Sequence, residues 1–155
     1  MDKKPCVITK VLSMNDVGET GGHQAGILVP KGGDVLKFFP DLGCEEKNPR
    51  VVMYFTDDAG KEWKLSFIYY NNKFFDERGT RNEYRLTGMT AYFRENGLKA
   101  GDTVSLIHGA DGIDMIRYRR NKKTDIKVTV TKDGQLKKRL VLGSNWKVID
   151  TERGN

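Results

Sequence analysis

Short apolar runs closed by turn signals recur along the whole chain, and no other feature limits its fold as strongly. PCVITKVL, AGILVP, PRVVMYFT, KEWKLSFIYY, NEYRLTG, DTVSLIHG, GIDMIRYR and DIKVTVT are rich in Val, Ile, Tyr, Phe and Thr. Branched and aromatic side chains suit a pleated, half-buried surface, so each run reads as a strand. DDAGK between two of them is a hairpin turn, and HGADGID and TKDGQ read the same way. Two segments break the pattern. GGDVLKFFPDL clusters Val35, Leu36, Phe38 and Phe39 and stops at Pro40, which suits a short helix. TGMTAYFRENGLKAGD offers Thr90 as an N-cap, Tyr92 and Phe93 as an apolar side and Gly97 as a stop. The expectation is a mainly β fold of about seven or eight strands with two short helices.

At 155 residues the chain can bury one real core but not comfortably two. Residues 1–150 are expected to form a single domain and 151–155 a flexible tail, since Gly143 to Asn155 carry no strong pattern beyond WKVI. No stretch approaches the roughly 20 apolar residues of a membrane span. The charged start MDKKP leads into no apolar segment of the signal-peptide kind. Cys6 and Cys44, with His23 and His108 far apart, make neither a disulfide framework nor a zinc set. Reduced thiols in a cytoplasmic protein are the expectation.

Charge is unevenly placed. Eleven Lys and Arg against two Asp between Arg117 and Lys147 give that segment nine net positive charges, whereas the remainder is net negative by three. A basic segment on a near-neutral body suits a polyanion, and nucleic acid leads that class. A solvated charged surface would read the same way.

Catalytic signals are sparse. A Pro-Asp pair followed by Glu-x-Lys, a nuclease pattern, has a superficial counterpart in Pro40, Asp41, Glu45, Glu46 and Lys47. Metal-dependent phosphodiester cleavage needs carboxylates held around a divalent ion on rigid elements. Here the pieces are compressed into one loop, FFPDLGCEEKNP, which reads as polar surface. There is no GxSxG, no P-loop, and no histidine near either cysteine. His23 could act as a base, but no nucleophile accompanies it. No catalytic residue and no metal ligand are assigned.

Two polar stretches remain. NDVGETGGHQAG, residues 15–26, links two strands with far more chain than a hairpin needs. It presents Asn15, Asp16, Thr20, His23 and Gln24 between glycines that allow positive φ and close approach to a partner. YYNNKFFDERGTRNEYRL, residues 69–86, crowds together Asn71, Asn72, Lys73, Arg78, Thr80, Arg81, Asn82, Glu83 and Arg85. RNEYR alternates, so Arg81, Glu83 and Arg85 share one face while Asn82 and Tyr84 take the other. An Arg fork matches guanine O6 and N7, Glu accepts from the cytosine amino group, and Asn pairs with adenine. Two such arms would form a clamp whose phosphate contacts set register and whose base contacts read sequence. An exposed strand laced with salt bridges is the competing reading.

Both stretches resemble a known family. KVLSMNDVGETGGHQAGILVPK is similar to the N-terminal strand and arm of the EcoRII-type restriction endonuclease N-terminal domain, also called its effector-binding domain. Ser13, Asn15, Asp16, Gly18, Thr20, Gly21, Gly22, His23, Gln24, Gly26, Val29 and Pro30 fit that family's pattern. IYYNNKFF and GTRNEYRLT resemble its other arm through Tyr69, Tyr70, Asn71, Thr80, Arg81, Asn82, Glu83 and Arg85. YFRENGLKAGDTVSL looks like the helix and following strand of the DNA-binding pseudobarrel superfamily. The resemblance runs over about residues 8–107.

The resemblance implies a DNA-binding pseudobarrel that grips the major groove with two arms, near residues 10–25 and 69–85. It implies base reading by Arg81 and Glu83 with Asn15, His23 and Asn82. Lys10, Ser13, Asp16, Thr20, Gln24, Asn71, Asn72, Lys73, Arg78, Thr80, Tyr84 and Arg85 are expected to make the other DNA contacts. Its best-known member reads CC(A/T)GG, and the TRNE motif makes a related site the expectation. Where the family often has a basic residue just before TRNE, this chain has Gly79. In the family a separate nuclease domain follows this one. The implied function is therefore sequence-specific double-stranded DNA binding for a type II restriction endonuclease, by a chain that is not itself an enzyme. A covalently linked nuclease domain is the expected partner, with Mg²⁺ needed only there, no cofactor for binding, no membrane association, and a monomer. Two other readings stay open on the residues alone. One is a self-sufficient small Mg²⁺-dependent nuclease. The other is a non-specific barrel for single strands, although the YY and FF pairs suggest packing first.

Overall fold

A computed structural model describes residues 4–18, 26–121 and 145–149. Its strands are β1 (Val7–Val11), β2 (Ile27–Val29), β3 (Arg50–Thr56), β4 (Glu62–Tyr70), β5 (Glu83–Thr87), β6 (Thr103–His108), β7 (Asp114–Arg119) and β8 (Trp146–Ile149). They hydrogen-bond in the order β2-β5-β4-β3-β7-β6-β1-β8. Neighbours are antiparallel except β3 and β7, which meet in parallel at Thr56 opposite Met115. Arg117 reinforces that seam by donating from Nη1 to the Thr56 carbonyl at 3.0 Å. The sheet's two outermost strands are bridged as well, because the Trp146 indole N–H donates to the Leu28 carbonyl at 3.0 Å. The sheet is thus a curled half-barrel. Fastening one edge to the other covers strand edges that would otherwise invite pairing with another chain.

Alternation explains the core. In β3 and β4, Met53 stands opposite Leu65 and Phe55 opposite Trp63. All four point inward and are buried, whereas Val52 and Tyr54 point outward and are exposed. Ile8, Phe38, Phe67, Leu86, Leu106 and Ile116 complete the centre. Each such side chain contributes about 1.5–3 kcal/mol through removal from water. The expected DDAGK hairpin joins β3 to β4. Asp57 Oδ2 accepts the Trp63 indole N–H at 2.9 Å, and its Oδ1 accepts the amides of Lys61 and Ala59. These bonds, the indole first, hold its carboxyl below the ordinary value.

Two local expectations need revision. Thr90 is not a cap: the helix α1 (Thr90–Glu95) is preceded by Met89, and no side chain caps it. Its other end is as expected. Gly97 sits at φ 62, and the amides of Leu98 and Gly97 return to the carbonyls of Phe93 and Arg94, a Schellman closure. The segment around Phe38 forms only one 3₁₀ turn, Leu36–Phe38. His108 holds it through Nε2, which lies 2.8 Å from the Phe38 carbonyl. A further 3₁₀ turn, Asn72–Phe74, was not foreseen. WKVI, the one patterned piece of the C-terminal stretch, forms a paired strand, with Val148 opposite Ile8 of β1. DIKVTVT, TKDGQ, most of the basic segment and the expected tail lie outside the described residues.

Candidate nucleic-acid interface

The segment anticipated as the second arm leaves the sheet after Tyr70, the last residue of β4, and returns at Glu83, the first of β5. These two stand opposite each other. Asn71 locks the root. It has no exposed surface. Its Oδ1 accepts the Asn48 amide at 2.7 Å, its own amide donates to Asn48 Oδ1 at 3.1 Å, and its Nδ2 donates to the Glu46 carbonyl at 3.0 Å. Asn71 was expected to touch DNA; instead its polar atoms are consumed inside the protein. Asn48 takes a left-handed φ of 52, a conformation Asn tolerates better than most residues, and the reciprocal bonds hold it there.

The arm then folds on itself. The Asn72 carbonyl accepts the amides of Phe75 and Asp76 at 3.1 and 2.8 Å. A Cβ added to Gly79 would collide with that same carbonyl. The close approach of this carbonyl therefore requires glycine at position 79. Asn72 also reaches forward: its Oδ1 accepts the Arg81 amide at 2.8 Å. The Lys73 amide donates to the Arg81 carbonyl at 3.1 Å. Both backbone polar groups of Arg81 are thereby fixed. Lys73, Arg78 and Thr80 are exposed along the arm. Lys47 pairs with Asp76 at 2.8 Å and ties the arm to the preceding loop.

Arg81, Glu83 and Arg85 share a face, as the alternation requires, although regular strand begins only at Glu83. Glu83 Oε2 accepts from Arg81 Nη2 at 2.7 Å and Arg85 Nε at 3.1 Å. Burial raises the Glu83 carboxyl, but the hydrogen bonds and charges of the two arginines outweigh it, and the net shift is downward. The Arg81 guanidinium lies 3.9 Å above the Tyr70 ring. Arg85 Nη1 donates to the Gly26 carbonyl at 3.0 Å. On the other face, the Tyr69 hydroxyl donates to Asn82 Oδ1 at 2.7 Å. Tyr69 stacks on Tyr84 at 4.3 Å, Tyr84 on Phe67 at 5.5 Å, and Phe67 on Phe39 at 4.3 Å. Asn82 thus rests on a column of rings rooted in the core. Burial, then Tyr69 and Asp41, push the Tyr84 hydroxyl up.

The segment anticipated as the first arm is described up to Gly18. Asp16 Oδ2 accepts Lys10 Nζ at 2.8 Å and the Ser13 amide at 2.9 Å, while Ser13 Oγ accepts the Asp16 amide at 3.1 Å. Lys10 was expected to contact DNA. It is 7% exposed, because its ammonium closes this turn from beneath. Asn15 is exposed. Thr20, His23 and Gln24 lie outside the described residues. Where the arm rejoins the sheet, Gly26 has φ 94, and a Cβ there would stand 2.6 Å from the Leu86 carbonyl oxygen.

Tyr70 matched the family's arm in sequence but was given no contact role, because YY reads as core packing. The signal was the register: the strand-end tyrosine is level with Glu83 and shares its face. In the loop weighed as a nuclease site, Asp41 accepts the Gly43 amide at 3.0 Å, and Lys47 is committed to Asp76. Among the described residues, no three His, Cys, Asp or Glu side chains form a metal-holding group. None of the described helices is long and apolar enough to cross a membrane.

The chain matches the family described as Restriction endonuclease EcoRII, N-terminal, over residues 2–107. It is 40% identical over 93 residues to the type II restriction enzyme EcoRII of Escherichia coli, covering 57% of this chain and 22% of that protein. It is 31% identical over 119 residues to a B3 domain-containing protein of Oryza sativa subsp. japonica, covering 76% of this chain and 25% of that protein. The chain therefore spans a quarter or less of the length of these curated relatives. In structure it resembles the protein of an Arabidopsis FUS3-DNA complex, with a TM-score of 0.55 and 20% identity over 74% of this chain and 96% of that one. That likeness is one of fold, and the mainly β pseudobarrel anticipated from sequence is the fold observed.

Proposed function

The chain belongs to the restriction endonuclease EcoRII N-terminal family, and on that premise we propose that it is a sequence-specific double-stranded DNA-binding domain. The observation that carries this reading is the Arg81–Glu83–Arg85 row, held on one face of an arm whose backbone is fixed on both sides of Arg81. Both arginine contacts fall on Glu83 Oε2, so Oε1 can accept a cytosine amino hydrogen while the Arg81 fork takes guanine O6 and N7. Adjacent residues then read one G·C pair from both bases.

Asn82, Asn15 and His23 read neighbouring positions. Lys73, Arg78, Thr80, Thr20 and Gln24 contact the backbone or groove wall and set register. Asn71, Asn72 and Tyr84 act from within the second arm, and Lys10, Ser13 and Asp16 from beneath the first. Similarity to the type II restriction enzyme EcoRII supports a CC(A/T)GG-like site in the major groove and a linked nuclease domain that supplies cleavage and requires Mg²⁺. Binding itself needs no cofactor. The domain acts as a cytoplasmic monomer.

The test is fluorescence anisotropy with a CC(A/T)GG duplex and a scrambled duplex, near physiological salt and without divalent metal. Arg81→Ala should cost about 1–3 kcal/mol on the first duplex and relax selectivity at one base pair. A variant that discriminates as well as the parent would remove the base-reading role from this arm.

A further inference from the structure

We infer that Tyr70 is the positioning residue that aims the Arg81 fork, and so a determinant of specificity that itself need not touch a base. The inference rests on the base-reading role given to Arg81 above. A long arginine side chain at an exposed arm has many rotamers, and ordering it costs free energy when a partner binds. Here that freedom is removed beforehand by three constraints. The backbone is held by Asn72 Oδ1 at 2.8 Å and by the Lys73 amide at 3.1 Å. Glu83 holds Nη2 at 2.7 Å. The Tyr70 ring lies 3.9 Å beneath Cζ.

The ring supplies what the other two constraints lack. One ion-pair contact fixes a point on the guanidinium but leaves its plane free to turn. An aromatic surface beneath the group selects one plane, through cation–π attraction and apolar contact. Plane orientation is what a bidentate match to guanine demands. Tyr70 can do this because it ends β4 directly opposite Glu83. Its ring lies on the Glu83 face, just where Arg81, two residues before Glu83, folds back. The contact uses the ring, so the hydroxyl is dispensable.

The test uses the whole chain, duplexes carrying the preferred site, and the same duplexes with each guanine in turn replaced by 7-deazaguanine, which lacks N7. For the parent, one such replacement should weaken binding roughly 5- to 150-fold. Tyr70→Leu should bind the unmodified site correspondingly more weakly and lose most of its sensitivity to that replacement. Tyr70→Phe should restore both. Arg81→Ala combined with Tyr70→Leu should bind no more weakly than Arg81→Ala alone. Circular dichroism and thermal unfolding show whether each variant is folded. A Tyr70→Leu protein that is folded and keeps the full 7-deazaguanine penalty overturns the inference alone. A loss spread evenly over all sequences also overturns it, since it would make Tyr70 a general support. If Arg81→Ala has the parent's profile, the base-reading role falls, and the inference with it.

Discussion

Arg85 donates from Nη1 to the carbonyl of Gly26 at 3.0 Å, while its Nε holds Glu83 at 3.1 Å. One guanidinium thus joins Gly26, just before β2, to Glu83 at the start of β5. Only a planar fork with several N–H groups can make both contacts at once, and a lysine ammonium cannot match them. Arg85→Lys preserves charge, so salt dependence should change little. Affinity for the preferred duplex should fall by about tenfold, the scale of one hydrogen bond to a charged group. Paired binding curves at two salt concentrations check this; equal affinity for parent and variant would mean the link is idle.

Removing the Asn71 side-chain amide should destabilise the fold itself. Asn71→Ala leaves the Asn48 amide and Glu46 carbonyl without their partners. Each lost hydrogen bond costs about 0.5–1.5 kcal/mol, and in a chain of this size the unfolding midpoint falls by about 2–4 °C per kcal/mol. Calorimetry reads the midpoint directly.

Gly79 should resist side chains of any kind. A methyl group there meets the Asn72 carbonyl, and this carbonyl organises the 3₁₀ turn that fixes Arg81. Gly79→Ala should therefore displace the arm and weaken sequence-specific binding by roughly tenfold or more, the scale of a misplaced bidentate contact. Gly79→Lys should do no better, despite its added positive charge. Thermal stability should barely move, since the neighbouring arm residues are exposed.

Acid should unfasten the Arg81–Glu83–Arg85 row. The Glu83 carboxyl lies below the ordinary 4.5. A depressed folded-state value means the contribution is fully present above the unfolded value and is lost as pH falls through the folded one. The stability difference between the parent and Glu83→Gln should thus be constant above about pH 5.5 and shrink progressively below 4.5. Denaturant unfolding across that range measures it. A difference that grows on acidification would reverse the sign assigned to this carboxyl.

The sheet and the faces of the second arm were legible because both follow a period of two. Val, Ile, Tyr and Phe alternation located most strands, and RNEYR put Arg81, Glu83 and Arg85 together. What stayed hidden depends on partners distant in sequence. Lys10 and Asn71 look like surface residues, and only the folded chain reveals that Asp16 and Asn48 draw them inside. Thr90 has the chemistry of a cap, but the helix begins one residue too early for its side chain to serve. WKVI is too short to announce a strand; pairing with β1 makes it one. Tyr70 differs from Tyr69 by a single position, yet one ring faces Arg81 and the other joins the stack beneath Asn82. Nothing but the pleat separates their roles.

The most direct test of the account is selection from a pool of random duplex DNA by this chain, near physiological salt and without divalent metal. The account predicts enrichment of one short motif, CC(A/T)GG or a close relative, with the preference at one G·C pair lost in Arg81→Ala. Retention of DNA with no enriched motif would contradict it. The row on the second arm would then be a surface salt-bridge network, and binding would come from charge alone.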